Sequence, residues 1–135
     1  MKKIILFLFV VSFYSCKKDA GFHALREDIQ GTWELEQFIG YPFDQPVLPA
    51  GNGQIIVLGA NGLFERKQGD SLIFKGTYSL QTKKDCYPRH TEVSFSTTES
   101  SPGTYQYVDI ANERLELSTP NCYQDGGSAY YRRVK

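Results

Sequence analysis

Eight short segments of this sequence alternate apolar or aromatic residues with polar ones, and turn-forming residues separate them. The first begins at Gly31 and contains the run TWELEQF, and the others lie at residues 54–58, 63–66, 71–80, 91–97, 104–110, 114–119 and 129–134. A period of two places successive side chains on opposite faces of a β-strand. Eight strands in residues 31–135 correspond to about 13 residues per strand and turn, near the spacing of sandwiches and barrels. The pattern therefore predicts an all-β domain.

The turns between these segments indicate that neighbouring strands are antiparallel. Asn61-Gly62 is a strong two-residue hairpin signal. The four-residue loop at 111–114 sets Ile110 opposite Leu115. An apolar meander without edge-blocking features loses its exposed edges when its last strand pairs with its first. We therefore expect an eight-stranded antiparallel up-and-down β-barrel, wide enough inside for side chains or one small ligand.

Alternation also predicts which side chains point into the barrel. The first run places Trp33 and Leu35 on one face and Glu34 and Glu36 on the other. Residues 22–29, which precede the first strand, carry apolar side chains at helical spacing, and this predicts one or two helical turns with a single apolar face. The inward set is predicted to be Trp33, Leu35, Ile55, Val57, Phe64, Leu72, Phe74, Tyr78, Val93, Phe95, Val108, Ile110, Leu115 and Leu117.

The N-terminal segment has the features of an export signal. Lys2 and Lys3 precede the apolar stretch IILFLFVVSF, which as a helix would reach only about 15 Å and is too short to span a membrane. Phe13, Tyr14 and Ser15 lead into Cys16, so bulky groups stand where ordinary signal cleavage needs small ones. The arrangement resembles a bacterial lipoprotein signal peptide, in which Cys16 carries the lipid and becomes the mature N-terminus. A secreted protein with a free thiol is the alternative.

This resemblance divides the chain into three parts. They are a signal peptide at 1–15, the lipidated Cys16 with a tether and a short helical turn at 16–30, and a barrel domain at 31–135. Two or more acyl chains give stable anchoring, so the membrane is an expected partner. The run KKD at 17–19 also resembles the charged export signal of surface lipoproteins of the Bacteroidetes. We expect anchoring in the outer membrane, with the periplasmic and the cell-surface face both open.

The two remaining cysteines, Cys86 and Cys122, form an even pair in an exported protein, the condition under which a disulfide is expected. Closing this loop would stabilise the fold by about 3–4 kcal/mol in the chain-entropy model. In an ideal meander, however, the loops that hold the two cysteines lie at opposite rims, farther apart than a disulfide allows. Two unpaired thiols and a weak metal site are the alternatives, although no C-x-x-C or histidine at ligand spacing supports a metal.

A family resemblance rests on the first and last strands. Gly31-x-Trp33 opens the first strand after a short helical turn, and seven strands follow, the last of them rich in arginine. Over residues 22–135 this arrangement resembles the lipocalin-like family of small bacterial lipoproteins. In lipocalins an arginine of the last strand stacks over this tryptophan and seals the closed end of the barrel. The resemblance implies this role for Arg132, with Arg133 as the second choice. Two solvated arginines near the end of the chain are the alternative.

Charge and motif content disfavour several functions. The chain has 15 Lys plus Arg against 15 Asp plus Glu and no basic block, so it lacks the electrostatic footprint of nucleic-acid binding. The sequence contains no zinc-protease, nucleophile-elbow, P-loop or EF-hand motif. His23 and His90 lie in polar sequence and are interpreted as solvated. We therefore expect no cofactor and no bound metal, and an enzyme is the least favoured class of function.

The leading hypothesis is a barrel that binds a small apolar molecule inside or at its mouth. The apolar loop at 40–53 belongs to the predicted open rim, where it would form a lid or fold in and plug the barrel. The candidate ligand-binding residues are Leu35, Tyr41, Phe43, Leu48, Val57, Phe64, Phe74, Tyr78 and Phe95. The second hypothesis is a structural or interaction module that displays outward tyrosines to a protein partner or a glycan, namely Tyr105, Tyr107, Tyr123 and Tyr131.

Overall fold

Eight antiparallel strands form a closed barrel in the order β1 to β8, and one short helix precedes them. The computed structural model describes residues 20–40, 44–83, 90–97, 100–119 and 126–135, and of residues 20, 83, 90, 97 and 100–105 it describes the secondary structure alone. The elements are α1 (Ala20–Asp28), β1 (Gly31–Gly40), β2 (Gln54–Leu58), β3 (Leu63–Gln68), β4 (Ser71–Lys83), β5 (His90–Thr97), β6 (Ser100–Ala111), β7 (Arg114–Ser118) and β8 (Gly127–Arg133). The predicted eight-stranded up-and-down barrel is confirmed.

The turn between β6 and β7 shows how the sequence sets the register. Ile110 pairs with Leu115, as predicted. Asn112 and Glu113 form the turn with φ angles of 53° and 60°. Positive φ at both central residues gives a turn whose twist matches that of the flanking strands. The two strands therefore pair without a register shift.

The barrel closes where β1 pairs with β8. Trp33 lies opposite Arg133 and Leu35 lies opposite Tyr131. Cross-strand partners share one face of a sheet, so these four side chains belong to the same face. Since Trp33 is fully buried, that face is the interior of the barrel.

Helix α1 covers one end of the barrel, which we call the closed end. Ile29 directly follows the helix and is fully buried, and Leu25 packs against the buried core. The indole Nε1 of Trp33 donates a hydrogen bond of 2.8 Å to the carbonyl of Ile29. The predicted apolar face of the helical turn is thereby confirmed.

Arg133 completes the closed end. Its guanidinium carbon lies 4.3 Å from the centre of a Trp33 ring. The same guanidinium donates hydrogen bonds to the carbonyl of Gln30, at 3.0 Å, and to that of Asp28. These carbonyls lie at the C-terminal end of α1, where a cation is favoured. Arg133 therefore binds the helix and the barrel together.

The choice of Arg132 as the arginine over Trp33 is wrong, and the second choice, Arg133, takes that position. Arg132 pairs with Glu34 across β1, and both side chains face outward because they alternate with Trp33 and Arg133. Gly31, the third predicted closure residue, has φ of 136°, and a Cβ there would lie 2.9 Å from Nη1 of Arg133.

The predicted inward face of β2 is also wrong. Ile56 and Leu58 are buried, whereas Val57 pairs with Thr32 and Glu65 on the outer face. Ile55 shares the outward orientation of Val57, since it pairs with Glu34. The run IIVL is apolar on both faces, so alternation cannot select between them, and the pairing of Ile56 with Trp33 decides the outcome.

Two β-bulges change the orientation of later residues. Between Leu35 and Gln37 the register of β1 shifts by one residue, so Phe38 faces inward opposite Ala129. A second shift adds Ile73 to β4, so that Leu72 lies opposite Lys67 and faces outward instead of inward as predicted.

The connections leave the barrel at two different rims. The β4–β5 connection leaves from the closed end, and the β7–β8 connection leaves from the other end, which we call the open end. Cys86 and Cys122 belong to these two connections and lie outside the described residues, as does Cys16. The structure shows no disulfide among the residues it describes, and the pairing of the two cysteines stays a prediction.

Candidate functional site at the mouth of the barrel

The interior of the barrel is buried towards its closed end and accessible at its open end. Trp33, Leu58 and Phe64, which lie towards the closed end, are at most 6% exposed. Phe38 and Phe74 also occupy inward positions, since Phe38 pairs with Ala129 and Phe74 pairs with Arg66, yet they are 40% and 50% exposed. Large aromatic side chains that face inward and remain in contact with water define an apolar mouth.

The Phe38 ring lies across the neighbouring strand β8. A Cβ on Gly127 would lie 2.7 Å from this ring, and a Cβ on Gly40 would lie 2.9 Å from it. Gly40 and Gly127 are cross-strand partners, so the missing side chains provide the space that the ring occupies. The Phe38 ring thus packs against the backbone at Gly40 and Gly127, and part of the ring is exposed.

Arg66 brings a positive charge to the mouth. It pairs with Ile56 on one side and with Phe74 on the other, so it takes an inward position. The residue is exposed. Its guanidinium forms no hydrogen bond or ion pair with any residue that the structure describes.

Tyr131 brings a hydroxyl group to the same interior. It lies between Leu35 and Leu115 across the neighbouring strands. Burial raises the pKa of its phenol above the ordinary value of 10.0, and the positive charge of Arg66 opposes this shift. Arg66 and Tyr131 thus both occupy inward positions of the barrel.

Below the mouth, aromatic rings fill the barrel. Phe64 and Phe95 make an edge-to-face contact with ring centres 5.0 Å apart, and the rings of Tyr78 and Phe95 are 6.5 Å apart. The Tyr78 hydroxyl donates a hydrogen bond of 2.8 Å to the carbonyl of Gly59. These three predicted ligand-binding residues therefore form the packed floor beneath the mouth.

The loop before β2 lies against the outer wall. The backbone amide of Leu48 donates to the carbonyl of Glu36 at 2.7 Å, and the carbonyl of Leu48 accepts a hydrogen bond from Arg132. The amides of Gly51 and Gly53 donate to the Glu34 carboxylate at 2.9 and 3.2 Å. The backbone of Leu48 thus lies against the outside of β1, and a contribution of its side chain to the mouth stays a prediction.

These contacts explain why an outward glutamate is buried. Glu34 is 5% exposed, and Arg132 Nε lies 3.6 Å from its carboxylate. The carboxylate receives backbone amides and a guanidinium together, so its charge is compensated. Arg132 therefore holds the loop to the wall, which is a structural role different from the predicted one.

The predicted ligand-binding residues fall into distinct groups. Leu35 and Phe74 lie on the inward face of the barrel, and Val57 faces outward. Tyr41 and Phe43 lie outside the described residues. Phe38, Arg66 and Tyr131 were missed. Arg66 could have been found by parity, since it lies two residues after the inward Phe64, whereas Phe38 depends on a bulge that the sequence does not reveal.

The predicted surface of outward tyrosines is contradicted at one of its positions. Tyr131 points into the barrel. Tyr107 lies at an outward position, opposite Ser118, but its hydroxyl is buried. Tyr105 and Tyr123 have no described side-chain surroundings. The tyrosines whose side chains the structure describes therefore do not form one exposed display.

A cavity of about 190 Å³ lies at the closed end beside α1. Phe22, Arg26, Tyr78 and Leu80 are among the residues that line it. Burial raises the pKa of the Tyr78 phenol, and Arg26 opposes this shift. Since the Tyr78 hydroxyl already donates to a backbone carbonyl, it offers this cavity no free donor. The mouth at the open end is the stronger candidate.

The described part of the chain contains no group of three or more His, Cys, Asp or Glu residues placed to hold a metal ion. His23 is exposed, as predicted, and the side chain of His90 is outside the description. No helix within the described ranges has the length and apolar character needed to cross a membrane.

Comparison with protein-family models, with curated proteins and with solved structures finds no match to this chain. The resemblance to lipocalin-like lipoproteins therefore stays a prediction, and the function has to be inferred from the site itself.

Proposed function

We propose that this barrel binds a small apolar molecule through its open end. The observation that carries the proposal is the exposure of Phe38 and Phe74 at inward positions. Inward side chains of a small barrel are ordinarily covered by one another, and exposed aromatic surface in a concave place favours a ligand. An eight-stranded barrel has room for one such molecule.

The expected contribution of each ring follows from its exposure. Burying a whole Phe side chain contributes about 1.5–3 kcal/mol. Covering the exposed 40% of Phe38 would therefore contribute on the order of 1 kcal/mol to binding. A loss of this size corresponds to an affinity about fivefold weaker.

A neighbouring residue provides a matched control. Ile39 is 38% exposed, nearly the same as Phe38, but it lies opposite Ser128 on the outer face. We propose to titrate the purified chain with the neutral fluorescent probe N-phenyl-1-naphthylamine, and to compare wild type with Phe38→Ser and Ile39→Ser. The first variant is expected to bind about fivefold more weakly, and the second is expected to bind like wild type.

Thermal unfolding of both variants would show whether the barrel is intact. Equal affinities for the two variants, with both of them folded, would exclude the mouth as the binding site. Absence of saturable binding to the wild-type chain would contradict the proposed function as a whole.

We also propose that Cys16 attaches the barrel to the outer membrane of the cell envelope through acyl chains. The support is the positively charged and apolar leader that precedes Cys16. In the described residues α1 begins at Ala20, close to the proposed anchor. Since α1 covers the closed end, an anchor at Cys16 would leave the mouth at the opposite end of the barrel.

A further inference from the structure

We propose that the molecule bound in the mouth carries an acidic group, and that Arg66 and Tyr131 bind this group. The inference rests on the proposed function and specifies the class of ligand, namely an apolar molecule with one carboxylate.

Arg66 lacks the partners that the other barrel arginines have. Arg114 forms an ion pair of 2.9 Å with Glu36, Arg132 lies beside Glu34, and Arg133 binds backbone carbonyls at the end of α1. Arg66 has no hydrogen bond or ion pair with a described residue, and its cross-strand neighbours Ile56 and Phe74 are apolar. A guanidinium whose five donors are exposed to water beside apolar side chains is suited to a bidentate carboxylate on an apolar ligand.

Tyr131 supplies a second donor. The hydroxyl of Tyr78 donates to Gly59, and that of Tyr130 lies 3.3 Å from Glu116, whereas the Tyr131 hydroxyl has no hydrogen-bond partner in the described part of the chain. A phenol with the ordinary pKa of about 10 is protonated at neutral pH, and burial raises the pKa of Tyr131 further, so its hydroxyl is a donor.

The charge of the whole protein does not account for a preference for anions. Lys plus Arg and Asp plus Glu are equal in number, at 15 each. A preference for an acidic ligand would therefore depend on local groups. Arg66 provides the positive charge, Tyr131 provides a neutral donor, and Phe38 and Phe74 provide the apolar walls.

Decanoate and decanol form a suitable pair of probes, because they share one alkyl chain and differ in the head group. Isothermal titration calorimetry at neutral pH would give the affinity of the purified chain for each. Hydrogen bonds to charged groups contribute more than neutral ones. Since Arg66 is exposed and solvent screens its charge, we expect decanoate to bind about tenfold more tightly than decanol.

Two variants and one matched control locate the effect. Arg66→Gln is expected to remove the preference for decanoate and to leave decanol binding within about twofold of wild type. Tyr131→Phe, which removes only the hydroxyl, is expected to weaken decanoate binding about threefold. Lys67→Gln removes a positive charge from the adjacent outward position, where Lys67 forms an ion pair with Glu65. This variant is expected to change the affinity for neither probe.

The outcomes separate the two proposals. Equal binding of both probes to wild type, or an equal loss of decanoate affinity in Lys67→Gln and Arg66→Gln, would overturn the acidic-group inference while leaving an apolar site in place. Failure of both probes to bind would overturn the proposed function as well. A selective loss of decanoate binding in Arg66→Gln and Tyr131→Phe, with unchanged melting temperatures, would support the inference.

Discussion

Removal of the Arg133 guanidinium is expected to destabilise the closed end. The side chain stacks over Trp33 at 4.3 Å and donates to the carbonyls of Gln30 and Asp28. A cation over an indole contributes about 0.5–2 kcal/mol. Each hydrogen bond from this partly exposed cation contributes about 1 kcal/mol after allowance for solvent. Arg133→Met should therefore lower the free energy of unfolding by about 2.5–4 kcal/mol.

The melting temperature provides the assay. For a domain of this size 1 kcal/mol corresponds to about 4 °C, so Arg133→Met should melt about 10–16 °C lower than wild type. Arg133→Lys keeps the charge near the helix end but loses the planar group, so its melting temperature should lie between those of wild type and Arg133→Met. Trp33 is the only tryptophan, and its emission should move to longer wavelength as water reaches the ring.

Lys135→Met is the matched control. Lys135 lies two residues farther along the chain and makes one exposed ion pair with Glu113, at 3.7 Å. Such pairs contribute about 0–1 kcal/mol, so this variant should melt within about 2 °C of wild type. If the melting temperature of Arg133→Met fell no further than that of Lys135→Met, then Arg133 would not stabilise the closed end.

Two further predictions concern the closed end and the anchor. Gly31→Ala should lower the free energy of unfolding by about 1–3 kcal/mol, because φ of Gly31 is 136° and the new Cβ would meet Arg133. The control is Gly21→Ala, in open space on α1, which should be neutral or stabilising by up to about 1 kcal/mol. Chemical denaturation would give the free energy of unfolding of both variants. Cys16→Ser should abolish labelling of the chain by a clickable palmitate analogue and release it from the membrane fraction, and continued labelling would contradict the proposed anchor.

The barrel itself was predictable because its determinants are local. Strands require alternation, and hairpins require turn residues such as Asn61 and Gly62 between them. Closure follows because an apolar meander has edges to cover. Each of these conditions can be read from a few consecutive residues, so the strand positions found in the structure agree closely with those predicted.

The face that each strand turns inward was less predictable, for a physical reason. In β2 the apolar run at 55–58 has no polar residue to mark the outside, and only the pairing of Ile56 with Trp33 decides it. In β1 and β4 a bulge reverses the alternation, which brings Phe38 inward and turns Leu72 outward. The candidate site depends on one of these reversals, so its aromatic wall could not be predicted from alternation alone.

Arg66 and Arg133 together show what an inward arginine requires in this fold. Both occupy positions on the interior face of a small barrel, and a cation there is costly without acceptors. At the closed end α1 supplies backbone carbonyls and Trp33 supplies a ring, so Arg133 is a structural residue. At the open end no described group does the same for Arg66, which is in contact with water. A carboxylate brought in by an apolar ligand would serve Arg66 as the helix carbonyls serve Arg133, and this difference between the two ends favours a binding role for the mouth.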